Sequence, residues 1–322
     1  CGPAQSPCCF AQRRRPRKPC RSHSCRNPSP PPLLNLLFHS VRVGTIMLRA
    51  GMNPPEDPTL LRTHVASTTS LRSYAPGSIT MHLLLFDIDG TLVRTNGSTR
   101  TAVEQALSDL VGRQLHTDDV HFSGKTDLQI MAEVFHANDV EASESLVRDA
   151  LDVYVSVAHP SMTSSDVTVL PGVRDLLEHL RERSDVCVGL VTGNVEPMAY
   201  RKLDVVDLGE YFSFGAFGCD DADRNRLPPL AIDRAHDHTG LRFEQTNVTV
   251  IGDTRRDIEC SRATGARAVA VCTGHYSRQD LSPHEPDALL EDLASMRDVL
   301  DALGVGSPRP RNGSPDSSTA TP

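Results

Sequence analysis

Short apolar runs, each followed by a polar turn, recur along the central part of the chain. They cover residues 82–86, 186–191, 248–251 and 268–272, and we expect each to be a strand. A continuous apolar run of this length is typical of a parallel strand that is buried on both faces. Segments with a helical repeat lie between these runs, over 173–183, 197–208, 229–236 and 258–263. This alternation predicts an α/β fold with a doubly wound parallel sheet.

One long stretch interrupts the alternation. Residues 99–165 contain three predicted helices, at 100–110, 128–137 and 143–158, and no predicted strand. An insertion of this size after the first strand predicts a small helical lid over a core built from residues 81–98 and 166–304.

Composition separates the two ends from this region. The first 80 residues hold 11 Lys and Arg but only two acids, Glu56 and Asp57, although the whole chain has a net charge of −8. They show no sustained period and are rich in Pro and Ser, which is typical of disorder. We expect residues 1–80 to be a disordered basic extension, or a stretch upstream of a true start at Met81; an organelle transit peptide and a nucleic-acid-binding arm are the alternatives. Residues 305–322 are expected to be a second disordered tail.

Hydropathy and cysteine usage limit the class of protein. No apolar run reaches the roughly 18 residues that a membrane-spanning helix needs. Four cysteines lie within the predicted core, and they are widely spaced: Cys187, Cys219, Cys260 and Cys272. Isolated cysteines without metal-ligand spacing indicate a reducing compartment, so we expect a cytoplasmic protein with no membrane partner.

The densest negative charge follows the first predicted strand. Asp87 and Asp89 lie two positions apart in a turn that continues with Gly90. Two carboxylates this close repel each other, and Mg²⁺, which binds carboxylate and phosphate oxygens, relieves the repulsion. A calcium loop also begins with Asp-x-Asp-Gly, but its twelfth position would be Ser98 instead of an acid.

Two further polar turns follow later strands. Thr192, Gly193 and Asn194 offer a hydroxyl group and backbone amides to an anion, although a helix-capping threonine would look the same. Asp253 and Asp257 are four residues apart at the start of a helix, so that both can face one site. The alternative for Asp257 is that it only stabilises the N-terminus of this helix through the helix dipole.

Asp87-x-Asp89-Gly90-Thr91, Thr192-Gly193-Asn194 and Gly252-Asp253-x-x-x-Asp257, in this order, resemble the motifs of the haloacid dehalogenase-like hydrolase superfamily. The resemblance covers residues 82 to about 300. It implies a Rossmann-like core and an inserted α-helical cap, which residues 99–165 would form; we call these residues the cap.

The resemblance also implies a role for each motif residue. Asp87 would be the nucleophile and Asp89 the general acid and base. Asp87, the backbone carbonyl of Asp89 and Asp253 would hold Mg²⁺, with Asp257 supporting that site. Thr192, Gly193 and Asn194 would bind the phosphoryl group.

The lysine that the family places before its third motif is missing here. The corresponding region contains Arg224 and Arg226, and spacing favours Arg226 whereas the polar context favours Arg224. Lys202 is a third candidate, although its place in a predicted helix is more typical of a solvent-exposed residue. In the cap, Lys125 follows a glycine turn ahead of a helix and is a candidate for substrate binding or an ordinary surface lysine.

The sequence therefore predicts a Mg²⁺-dependent phosphatase of a small phosphorylated metabolite, with phosphoglycolate or a sugar phosphate favoured. The cap resembles those of phosphoglycolate-phosphatase-like members, and the chain as a whole resembles the capped subgroup that includes phosphoglycolate phosphatase and β-phosphoglucomutase. A phosphomutase of the latter type and a non-catalytic binding protein on the same fold are the alternatives. We expect a monomer or homodimer that does not bind nucleic acid.

Overall fold

The computed structural model describes residues 80–306, and its centre is one sheet of six parallel strands. The strands are β1 (His82–Phe86), β4 (Val186–Val191), β5 (Gly215–Ala216), β6 (Val248–Gly252), β7 (Arg267–Val271) and β8 (Ala288–Leu290). Their order across the sheet is β5-β4-β1-β6-β7-β8, and every neighbouring pair is parallel. Because the order reverses between β4 and β6, the carboxyl end of β1 lies at a topological switch point, where such sheets bind ligands.

The central strand β1 explains why apolar runs predict this sheet. Leu83, Leu84, Leu85 and Phe86 are all fully buried. Leu84 and Phe86 pack into one hydrophobic cluster, whereas Leu83 and Leu85 pack into another. Successive side chains of a strand point to opposite faces, so both faces of β1 are covered by apolar residues.

Helices flank the sheet as predicted, which confirms the α/β fold. They are α4 (Val173–Arg181), α5 (Glu196–Asp204), α6 (Leu227–Thr239), α7 (Arg255–Thr264), α8 (Arg278–Leu281) and α9 (Met296–Leu303). The four apolar runs became β1, β4, β6 and β7 to within a residue at each end. The two edge strands, of two and three residues, are too short to give an apolar run and were not predicted.

The inserted region consists of three helices, α1 (Ser98–Val111), α2 (Asp127–Ala137) and α3 (Glu144–Ser161). It leaves and rejoins the core through an antiparallel pair of short strands, β2 (Val93–Thr95) and β3 (Val167–Val169). Among the helix residues, Phe135 and Tyr154 are fully buried. None of the helices in residues 80–306 is both long and apolar enough to cross a membrane. The division into core, cap and tails remains a prediction, and most of both predicted tails, 1–79 and 307–322, lies outside the described residues.

Candidate active site

Three buried carboxylates converge at the carboxyl ends of β1 and β6. Asp87 follows β1, Asp253 follows β6, and Asp257 lies in the first turn of α7. One oxygen from each lies within 4.8 Å of the others, and each residue is at most 5% exposed. Parallel strands bring residues distant in sequence to one edge of the sheet, which explains why three separate turns meet here.

The three acids differ in their hydrogen bonds. Asp257 Oδ1 accepts from Arg224 Nη2 at 2.5 Å, and its Oδ2 accepts from the amide and hydroxyl groups of Thr254. Asp253 Oδ1, in contrast, is buried and has no hydrogen-bond partner in the described part of the chain. Both oxygens of Asp257 therefore accept hydrogen bonds, whereas one buried oxygen of Asp253 accepts none within residues 80–306.

Two glycines make room for the Asp253 carboxylate. Gly90 has a left-handed φ of +88°, and a Cβ there would lie 2.5 Å from Asp253 Cγ. A Cβ on Gly274, which follows β7, would overlap the same carboxylate. Side chains at these positions would displace Asp253, so the two glycines form a cradle around it.

The charges of the cluster are only partly balanced. Burial raises the pKa of Asp87 to about 6; Arg224 opposes the shift, and Asp257 and Asp89 add to it. Burial, together with Asp87 and Asp257, raises the pKa of Asp253 well above its usual range. Three carboxylates against one guanidinium group leave a site that a divalent cation would stabilise.

Arg224 is the cation that the structure places beside Asp87. Its Nη2 lies 3.1 Å from Asp87 Oδ1 and 2.5 Å from Asp257 Oδ1, and its side chain is 4% exposed. Burial alone would lower the pKa of Arg224, but these two carboxylates outweigh it and raise the pKa above its usual value. One guanidinium nitrogen thus contacts both carboxylates, and the other, Nη1, donates to Gly124 O at 3.3 Å.

The structure does not bring Arg226 to this site. Its side chain is 72% exposed, and its nearest acid is Asp221 at 3.5 Å. Residues 224–226 form one turn of 3-10 helix, which points the two arginines in different directions. The prediction that Arg226 replaces the family's lysine is therefore corrected. Of the two arginines, only Arg224 contacts the buried carboxylates of this cluster.

Asp89 is outside the cluster of three carboxylates and has its own cation. Lys202 Nζ and Asn194 Nδ2 donate to Asp89 Oδ2 at 2.6 and 2.7 Å. Lys202 is 2% exposed, so the expectation of a solvent-exposed lysine in α5 was wrong. The Asp89 carboxylate therefore belongs to a second charged group beside the acidic cluster.

The loop after β4 connects these two groups. Thr192 is fully buried, and its amide donates to Ala216 O at 3.0 Å. Its hydroxyl oxygen accepts from Asn194 Nδ2 at 2.8 Å. The Asn194 side chain thus forms hydrogen bonds with Asp89, Thr192 and Lys202, so it orients these residues.

The start of α2 is hydrogen-bonded to the same loop. The Asp127 amide donates to Gly193 O, and Asp127 Oδ2 accepts from the Val195 amide, both at 2.7 Å. Burial raises the pKa of Asp127 to about 6, against the effect of the Val195 amide. A Cβ on Gly193 would overlap Lys125 O, so glycine is needed here for the close approach of the cap.

A cavity of about 700 Å³ lies between these elements. Asp87, Asp89, Thr192, Gly193 and Lys125 all line it. Lys125 forms an ion pair with Glu133 and is only 13% exposed, so it is not an ordinary surface lysine. The cavity is enclosed on one side by strand-end turns and on the other by the cap.

Sequence reasoning missed Gly274, Asp127 and the role of Lys202. Gly274 follows the fourth apolar run, so the signal used for the other three turns was present there too. Asp127 and Lys202 are identified only by contacts between elements distant in sequence, which no local pattern reports.

Comparison with known proteins identifies a family for this chain. A family model described as haloacid dehalogenase-like hydrolase matches residues 84–271, more than half of the chain. A phosphoglycolate phosphatase of Pseudomonas syringae pv. tomato is 26% identical over 214 residues, covering 66% of this chain and 76% of the relative. One from Pseudomonas putida is 24% identical over 225 residues, covering 69% and 80%.

Solved structures show the same fold. A hydrolase from Pseudomonas syringae aligns over 70% of this chain and 100% of its own, with a TM-score of 0.54 and 18% identity. A β-phosphoglucomutase from Clostridium difficile covers 70% of this chain and 98% of its own, with a TM-score of 0.53 and 17% identity. At these identities the similarity is evidence for the fold alone.

Proposed function

Because the chain belongs to the haloacid dehalogenase-like hydrolase family, we propose that it is a Mg²⁺-dependent phosphatase of a small phosphorylated metabolite. The observation that supports this most is Asp87, a buried carboxylate that lines the cavity beside Arg224 and two further acids. Phosphoryl transfer requires a positioned nucleophile and positive charge around the phosphoryl group. Arg224 would supply one positive charge, and a divalent cation held by the acids would supply the rest.

The metal site is proposed from the donor set. Asp87, Asp253 and the backbone carbonyl of Asp89 would hold Mg²⁺, because Asp253 keeps an unpartnered buried oxygen in a cradle of two glycines. Asp257 would orient the site, since its own oxygens are bonded to Arg224 and Thr254. Bound Mg²⁺ supplies charge neutralisation and Lewis acidity to the phosphoryl oxygens.

The protein side chains divide the remaining chemistry. Asp87 attacks phosphorus to form an aspartyl-phosphate, which water then hydrolyses. Asp89 protonates the departing oxygen and then takes a proton from the attacking water. Thr192 and the Gly193 amide bind phosphoryl oxygens. Arg224 neutralises Asp87 and keeps it aligned.

The substrate is proposed from the size of the cavity and from the relatives. A space of about 700 Å³ between the strand-end turns and the cap suits a small molecule better than a protein or nucleic acid. Relatives called phosphoglycolate phosphatase make phosphoglycolate the first candidate, with sugar phosphates next. Lys125 would contact the non-transferred end of the substrate. The four cysteines of the core are free, in keeping with a proposed cytoplasmic location.

Phosphate release from a panel of small phosphate monoesters, with Mg²⁺ and with EDTA, tests this proposal. We expect Mg²⁺-dependent release from at least one ester and none from Asp87→Asn, which keeps the shape of the side chain but removes the nucleophile. A folded sample that releases no phosphate from any ester would refute the proposal. Conversion of a sugar phosphate into its isomer without phosphate release would indicate a mutase instead.

A further inference from the structure

Lys202 is a buried cation that the mechanism above does not use. Its Nζ lies 2.6 Å from Asp89 Oδ2 and 2.6 Å from Asn194 Oδ1, and its side chain is 2% exposed. Burying an ammonium group costs free energy unless it is paired and hydrogen-bonded. The position of Lys202 is therefore specified by these two partners, both of which line the cavity.

Only one of the two carboxylate oxygens of Asp89 accepts hydrogen bonds from residues 80–306. Lys202 and Asn194 both donate to Oδ2, and the hydrogen bonds found for this carboxylate within residues 80–306 all end on that atom. The Asp89 side chain is 38% exposed although its partner is buried. Two donors on one oxygen fix the rotation of the carboxylate and leave Oδ1 available to exchange a proton with the substrate.

From this geometry we infer that Lys202 is a positioning residue for Asp89. The inference rests on the proposed function and adds to it. As Asp87 forms its bond to phosphorus and the bond to the leaving oxygen breaks, the proton on Asp89 Oδ1 passes to that oxygen. Asp89 then becomes a carboxylate whose new charge Lys202 stabilises through Oδ2.

The other role open to a lysine here, neutralising the nucleophile, is already filled. Asp87 is paired with Arg224 at 3.1 Å, whereas the ion pair of Lys202 is with Asp89 at 2.6 Å. Each catalytic acid thus has its own cation. Loss of Lys202 should weaken proton transfer to the leaving group more than it weakens attack on phosphorus.

Leaving-group dependence measures that difference. Lys202→Met and wild type are compared on p-nitrophenyl phosphate and on the alkyl phosphate monoester that wild type hydrolyses fastest. Nitrophenolate leaves without a proton, whereas an alkoxide needs one. The ratio kcat/KM reports steps up to departure of the leaving group, so hydrolysis of the aspartyl-phosphate does not affect it. We expect a loss of about 100-fold or more for the alkyl ester and less than about tenfold for the nitrophenyl ester.

Two further variants separate positioning from folding. Arg201→Met removes a neighbouring cation of α5 that bonds to Met162 O, and it should leave the ratio of the two kcat/KM values at the wild-type level. Lys202→Ala should recover activity with methylammonium on the alkyl ester but not on the nitrophenyl ester. Equal losses, or equal recovery, for the two esters would overturn the inference alone. Wild type that hydrolyses neither ester would overturn the proposed function, and this inference with it.

Discussion

Replacing Asp127 by asparagine should remove a pH-dependent cost from the folded protein. The Asp127 carboxylate is 4% exposed, and its Oδ2 accepts from the Val195 amide at 2.7 Å. Burial is the main cause that raises its pKa from 3.8 to about 6; the Val195 amide and Lys202 oppose the shift. An asparagine keeps the acceptor oxygen and the shape of the side chain without the charge.

The sign follows from proton binding. Because the pKa of Asp127 is higher in the folded protein than in the unfolded chain, the folded protein holds more protons between about pH 4 and pH 6. Its stability therefore falls as the pH rises through this range. A shift of about two pKa units corresponds to a loss of about 3 kcal/mol at pH 7. The free energy of unfolding of Asp127→Asn minus that of wild type should rise by this amount.

Urea unfolding in EDTA, from about pH 4 to pH 8, measures the difference. Glu144→Gln is the matched control, because Glu144 is also the first residue of a cap helix after a hydroxyl N-cap, Ser143, but is exposed. Its difference from wild type should stay within about 1 kcal/mol, the usual size of a helix-dipole effect. A difference for Asp127→Asn that does not change with pH, or falls with it, would refute the reasoning.

Two more substitutions test the acidic cluster. Arg224→Met leaves Asp87 and Asp257 without their cation, so unfolding by urea in EDTA should show a loss of about 3–5 kcal/mol. Saturating Mg²⁺ should reduce this loss. The control is Arg226→Met, the exposed counterpart, whose free energy of unfolding should stay within about 0.5 kcal/mol of that of wild type. Equal losses in the two variants would argue against the assignment of Arg224. Gly274→Ala places a methyl group against the Asp253 carboxylate, so calorimetric titration should show Mg²⁺ affinity reduced at least about tenfold, as for other disruptions of metal-supporting residues. Gly304→Ala adds the same methyl group where there is open space around the Cβ, so its Mg²⁺ affinity should stay at the wild-type level. Unchanged Mg²⁺ affinity in Gly274→Ala would refute the cradle.

The strands were predictable because burial on both faces leaves a continuous apolar run, as in β1 and β6. The motif residues were predictable for a related reason, since each directly follows such a strand. The choice between Arg224 and Arg226 was not predictable. They lie two residues apart in a single 3-10 turn, and only the direction of each side chain distinguishes them.

Lys202 shows a second limit. In the sequence it follows Arg201 and is two residues from Asp204, a charged setting that is typical of exposed positions. It is buried because α5 packs against α3, a helix that precedes it by about 40 residues, and because Asp89 and Asn194 offer it hydrogen bonds. Such a position depends on contacts among three separate segments, so no window of the sequence contains the information.

The paired strands β2 and β3 bear on how such an enzyme can diversify. Val93 lies opposite Val169, so the chain leaves the core and returns to it at adjacent points. A segment whose two ends are already adjacent can be lengthened, shortened or exchanged for another without disturbing the core, because the entropic cost of closing the loop changes little with its length. Changes within residues 99–165 would therefore alter the proposed substrate entrance without changing Asp87, Asp253 and Arg224 in the core.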